Sequence, residues 1–174
     1  TDIISALKFS GKTKSGFSVG ILDAITKEEK ATYIDSLGNE KTQPIEPFSN
    51  SLVLRLKKDM DDGKFILGSF MTHKANNLST AYLDSSFLKD ALVLGADFEY
   101  ALPDPSWILS GFVASSSIRG DSKVITQIQK SSSHYFQRPA DNIDVDSSLT
   151  SLNGVGSEIS FTKISGKNLK GSLT

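Results

Sequence analysis

The stretch Phe48-Ser49-Asn50-Ser51-Leu52-Val53-Leu54-Arg55-Leu56-Lys57 decides the fold class. Phe48, Asn50, Leu52, Leu54 and Leu56 fall on one side, and Ser49, Ser51, Val53, Arg55 and Lys57 on the other. A period of two is the mark of a β-strand, because successive side chains of an extended backbone point to opposite faces. The same alternation recurs outward along the chain. Over 91–101, Leu92, Leu94, Ala96, Phe98 and Tyr100 oppose Val93, Gly95, Asp97, Glu99 and Ala101. Over 3–11, Leu7 and Phe9 oppose Lys8 and Ser10; over 16–25, Phe17, Val19 and Ile21 oppose Gly16, Ser18 and Gly20. Weaker versions occupy 64–74 (Phe65, Leu67, Met71), 106–117 (Trp107, Leu109, Val113) and 156–164 (Ile159, Phe161), and a further strand is expected from Leu169.

The connections alternate in length. Lys12 to Ser15, Asp59 to Gly63, Leu102 to Pro105 and Ser165 to Asn168 read as tight turns, being rich in Gly, Pro, Asp, Asn and Ser. The links over 26–47, 75–88 and 118–155 are long. Tight turns at one end and long loops at the other are how outer-membrane barrels are built, from tilted strands of roughly 9–11 residues. The expected fold is therefore all-β: an antiparallel up-and-down meander of about seven or eight strands forming part of an outer-membrane β-barrel. Residues 1–174 make a single barrel domain or a fragment of a larger barrel. The long 118–155 loop carries one short helix near 122–131, where Asp121 and Ser122 suit an N-cap and Val124, Ile125 and Ile128 follow helical spacing.

Composition narrows the function classes. With 19 Lys+Arg against 20 Asp+Glu, the chain lacks the basic excess of a nucleic-acid binder. There is no cysteine, so thiolate chemistry is excluded, and with only two histidines, His73 and His134, a His-rich metal site is not expected. No apolar run approaches the ~18–20 residues of a membrane-spanning helix. The chain opens at Thr1 in a strand-like pattern with no signal-peptide character, as expected of a processed chain or a fragment. No Gly-x-Ser-x-Gly, His-Glu-x-x-His, phosphate loop or GxGxxG occurs. Asp59, Asp61 and Asp62 around Gly63 lack the closing glutamate of a calcium loop and read as an acidic turn; Asp141, Asp144 and Asp146 form a second, looser acidic cluster, for which calcium is the minor alternative. Neither a metal nor a cofactor is expected.

The polar strand faces combine small residues with Lys8, Arg55, Asp97 and Glu99, which suits a watery lumen. Phe48, Tyr100 and Trp107 stand near strand ends, as in an interfacial girdle. Asp97 and Glu99 are two apart on one face and read as lumen charge. If the helix-bearing loop folds inward, Tyr135, Phe136 and Arg138 would form a constriction, with Arg138 paired to Asp97 or Glu99. An arginine over aromatic rings also suits a sugar, while the plainer role for Arg138 is a salt bridge anchoring the loop.

The run Ile125-x-x-Ile128-Gln129, then Ser132-x-His134-Tyr135-Phe136-Gln137-Arg138-Pro139, resembles a signature of the DUF5916 family of Bacteroidetes envelope proteins. Gly11-Lys12-Thr13, Gly16 to Ala24 and Ser148 to Gly154 match its style in the same order. The resemblance implies a location and a shape: members look like a carbohydrate-binding-like N-terminal domain followed by a membrane-associated β-barrel, of which this chain covers the middle. Unpaired edges would then be completed by a longer polypeptide or by partner strands. The expected function is a non-enzymatic outer-membrane barrel component serving structure, passage or assembly. The expected partners are the lipid bilayer, the remaining barrel strands or other envelope proteins, and no nucleic acid. Two alternatives stay open: a soluble barrel or sandwich module binding a glycan or lipid, and a glycan-active hydrolase. Leu52, Leu54 and Leu56 packed inward would favour the soluble module.

Overall fold

The computed structural model describes residues 2–103, 106–131, 144–165 and 171–173. Its main sheet joins β1 (Ile3–Lys12), β2 (Phe17–Thr26), β5 (Phe48–Met60), β6 (Phe65–Asn77), β7 (Leu88–Ala101), β8 (Trp107–Gly120), β9 (Ser151–Lys163) and the three-residue β10 (Gly171–Leu173), in that order. Every neighbouring pair is antiparallel. The seven long strands run for 10 to 14 residues. The expected all-β meander is present as an open sheet.

The 26–47 link, expected as loop, instead contains a separate hairpin of β3 (Glu29–Ile34) and β4 (Glu40–Glu46). Its turn is built on Asp35, whose Oδ1 accepts from Leu37 N and Asn39 N, both at 2.9 Å, while Oδ2 meets Lys41 Nζ at 2.9 Å. The 75–88 link holds a short helix, α1 (Ala81–Asp84), capped by Thr80. The 118–155 link is shorter than expected, because β8 continues to Gly120 and β9 begins at Ser151. Within it α2 (Ser122–Lys130) forms where the sequence expects it, with the Asp121 side chain accepting from Lys123 N at 2.8 Å.

At the tight-turn end, Gly16 joins two hairpins. Its φ of +85° suits a residue without a side chain, and a Cβ there would sit 2.5 Å from the Asp59 carbonyl oxygen. Asp59 N in turn donates to Gly16 O at 2.9 Å.

Among the described residues, the fully or nearly buried apolar side chains other than Pro47 are Leu83, Val124 and Ile125. All three belong to the helices, so the core lies at the long-loop end and not beneath the sheet. Gln129, 1% exposed, closes this packing. Its Nε2 donates to Asp146 O at 2.8 Å, and its Oε1 accepts from Asp146 N at 2.9 Å. One side-chain amide thus replaces a strand neighbour for one loop residue.

Two outcomes test this end of the molecule. Gln129→Leu strands both backbone groups of Asp146, so local opening there should become easier by about 1–3 kcal/mol, read by hydrogen exchange at the Asp146 amide. Lys41 beside Asp35, with help from the Asn39 and Leu37 amides, holds the Asp35 carboxyl below its ordinary value of 3.8. A depressed folded value means the turn's stabilisation is complete above pH 3.8 and fades as pH falls through the lowered value. Amide exchange at Leu37 and Asn39 should rise only in that acid window, and Asp35→Ala should abolish the pH dependence.

Candidate functional site

Residues paired across an antiparallel ladder share a face, so the registers sort every strand side chain. One face carries Leu7 and Phe9 from β1, Phe17, Val19 and Ile21 from β2, and Leu52, Leu54 and Leu56 from β5. It continues through Phe65, Leu67 and Met71, then Leu92, Leu94, Phe98 and Tyr100, and on to Val113, Val155 and Ile159. The alternation read in the sequence is therefore one continuous apolar surface across seven strands. Much of it is open: Leu56 is 51% exposed, Leu94 47% and Val155 80%.

That surface has two distinct borders. At the tight-turn end, Phe65 and Tyr100 meet edge to face at 6.1 Å, and Trp107 stacks on Phe161 at 4.5 Å. Lysine amines crown this rim: Lys163 lies 5.4 Å from the Trp107 ring centroid and Lys58 4.3 Å from that of Phe17. Lys58 also reaches back to the Ser15 carbonyl, leading its charge off the apolar face. At the long-loop end the same face turns polar. Asn50 Nδ2 donates to Asp23 Oδ1 at 2.8 Å, and His73 Nε2 meets Asp90 Oδ2 at 2.6 Å. Phe48, the third expected girdle residue, stands at this second border and is 39% exposed.

The opposite face holds the charged candidates. Arg55 on β5 and Asp97 on β7 form a two-pronged ion pair, Nη2 to Oδ1 at 2.8 Å and Nη1 to Oδ2. The pair spans the intervening strand because that strand offers Gly68, paired with both Lys57 and Asp97. A Cβ on Gly68 would come within 2.6 Å of the Asp97 carboxylate and 2.8 Å of the guanidinium. Phe70, the next residue of β6 on this face, lies over Gly95, where a Cβ would overlap its ring; its centroid is 5.8 Å from the Arg55 guanidinium carbon.

Of the candidates read from the sequence, Arg55 and Asp97 come together. Asp97 has both oxygens on Arg55; the pairing expected of Arg138 with Asp97 or Glu99 involves a residue outside the described ones. Glu99 shares this face but is exposed and makes no ion pair with a described residue. Tyr135, Phe136 and Arg138 lie outside the described residues. Gly68 and Phe70 were missed, because a glycine that opens a path between strands two apart has no local pattern. Asp59 meets Lys12 at 3.5 Å, and among the described residues no three His, Asp or Glu side chains converge to hold a metal.

The model of a domain of unknown function, DUF5916, matches residues 1–171. No curated protein and no solved structure matches the chain.

The ion pair is open to direct measurement. With side-chain exposures of 33% and 27%, it stands between a surface pair and a buried one. A double-mutant cycle with Arg55→Met and Asp97→Leu should give a coupling of about 1–2 kcal/mol in urea unfolding. Gly68→Val, which wedges the partners apart, should lose a similar amount in the wild-type background and little in the double variant.

Proposed function

We propose that this chain, which belongs to the DUF5916 family, forms one arc of a β-barrel crossing the outer membrane of a Bacteroidetes-type envelope. It acts without catalysis, as a structural, passage or assembly component. The observation that carries this reading is the continuous, exposed apolar face, bordered by aromatic rings and lysines at one end and by polar pairs at the other. Soluble monomers rarely expose contiguous apolar patches beyond a few hundred Å². The dimensions fit as well. Met60 back to Leu52 is eight residues, about 27 Å along the strand at ~3.4 Å each. A tilt of about 40° makes that a band ~21 Å tall, close to the apolar band of membrane barrels.

In this reading the apolar face meets lipid and the Arg55–Asp97 face lines the lumen. Hydrocarbon leaves no backbone donor or acceptor unpaired. The outer edge of β1, and that of β9 beyond its short pairing with β10, are therefore covered by further strands of the same barrel. A soluble glycan- or lipid-binding module would pack Leu52, Leu54 and Leu56 inward, whereas the described residues bury no apolar strand side chain. A hydrolase would need free, convergent carboxylates, and Asp97 has both oxygens on Arg55.

An arginine scan separates these readings. Leu94→Arg on the proposed lipid face should cost about 2–4 kcal/mol of folding in micelles or block insertion. Gly156→Arg on the opposite face, where a Cβ has open space, should be tolerated. A protein that stays monodisperse without detergent, with both variants equally stable, would sink the membrane reading.

A further inference from the structure

The polar face carries an ordered distribution of charge. One ladder row crosses seven strands as Lys12, Ser18, Lys57, Gly68, Asp97, Phe112 and Glu158. Its signs run from positive on β1 and β5 to negative on β7 and β9. The division extends beyond this row, from β1 to β6 and from Ala91 onward. From β1 to β6 it presents Lys8, Lys12, Arg55, Lys57 and Lys74 against the single acid Asp59. From Ala91 through β9 it presents Asp97, Glu99 and Glu158, with no base.

Two pairs neutralise part of this charge. Lys12 meets Asp59 at 3.5 Å, and Arg55 meets Asp97 at the seam between the two halves. Lys8, Lys57, Glu99 and Glu158 are exposed and make no ion pair with a described residue. The β5 and β9 strands are four spacings apart, about 19 Å at ~4.8 Å each. That exceeds two Debye lengths of about 8 Å, so Lys57 and Glu158 scarcely cancel one another. The adjacent row runs Ser10, Gly20, Arg55, Phe70, Gly95, Ala114 and Gly156; Phe70 covers Gly95, and open space remains beside Gly156.

We propose that this face is a charge-partitioned ion path, with small anions following the Lys8 and Lys57 side and small cations the Glu99 and Glu158 side. The proposal rests on the barrel reading, since it requires this face to line a lumen. A wall of one sign backed by a low-dielectric barrel concentrates its counter-ions along it. The Arg55–Asp97 pair, tied across Gly68, holds the seam between the two sides.

The test is reversal potential in a KCl gradient, with the full-length protein in planar bilayers of a zwitterionic phosphatidylcholine. Lys8→Glu with Lys57→Glu should move the K⁺/Cl⁻ permeability ratio toward K⁺ by about threefold or more, and Glu99→Lys with Glu158→Lys toward Cl⁻ by a similar factor. The neutral variants Lys57→Gln and Glu158→Gln, which are gentler on folding, should give smaller shifts in the same directions. Open channels whose ratio ignores all four variants would overturn the proposal alone. Silent bilayers from a protein that still requires detergent would also overturn it, leaving the membrane reading standing. A protein that remains folded and monodisperse in plain buffer would overturn both.

Discussion

The backbone ladder carries this structure. From β2 to β9 each strand of the main sheet is bonded to a neighbour on either side, and the side chains of that sheet are left without a common core beneath them. A sheet in this condition needs its apolar face covered by something other than water, because each exposed Å² of apolar surface costs about 25 cal/mol. The helices do not serve that purpose. Leu83, Val124 and Ile125 pack at the long-loop end, away from the apolar band. In the barrel proposed above, lipid would cover the face and would make the ladder obligatory at the same time, since hydrocarbon offers no replacement for a lost backbone hydrogen bond.

The two faces solve different problems with the same alternation. On the apolar side, branched and aromatic residues fill a belt whose borders carry groups suited to both phases, such as Trp107, Tyr100 and Lys163. On the polar side, volume is removed: Gly20, Gly68 and Gly156 clear space around a few long charged side chains, and Gly95 makes room for the Phe70 ring. Gly68 shows why the small residues matter, because its missing side chain lets Arg55 reach Asp97 across a whole strand. Phe70, with the far end of its ring over Gly95, stands beside the guanidinium.

Much of this was legible in the residues. Leu52, Leu54 and Leu56, like Leu92 to Tyr100, alternate so regularly that both strand and face follow from spacing, and the turn at Asp59 to Gly63 is spelled in its residue types. The β3–β4 hairpin was not legible. Glu29 to Ile34 and Glu40 to Glu46 are mostly polar on both sides, and Pro44 argues against a strand, so no amphipathic signal marks them. The same reason hid the far ends of β8 and β9. Ile118 to Gly120 and Ser151 to Val155 lie beyond the expected strands 106–117 and 156–164 and show no clear alternation, yet backbone pairing runs through them, because ladder bonds need no side chains.

The sequence by itself determined the local geometry: extended segments, their two faces, the tight turns and the capped helix α2. Each of these depends on residues within a few positions of one another. Only the tertiary structure decided which strands lie side by side and in what register. Arg55 and Asp97 are 42 residues apart, and the order of charges from Lys12 to Glu158 exists only once seven strands are aligned. Periodicity says which way a side chain points; the hydrogen-bonded register says what it points beside.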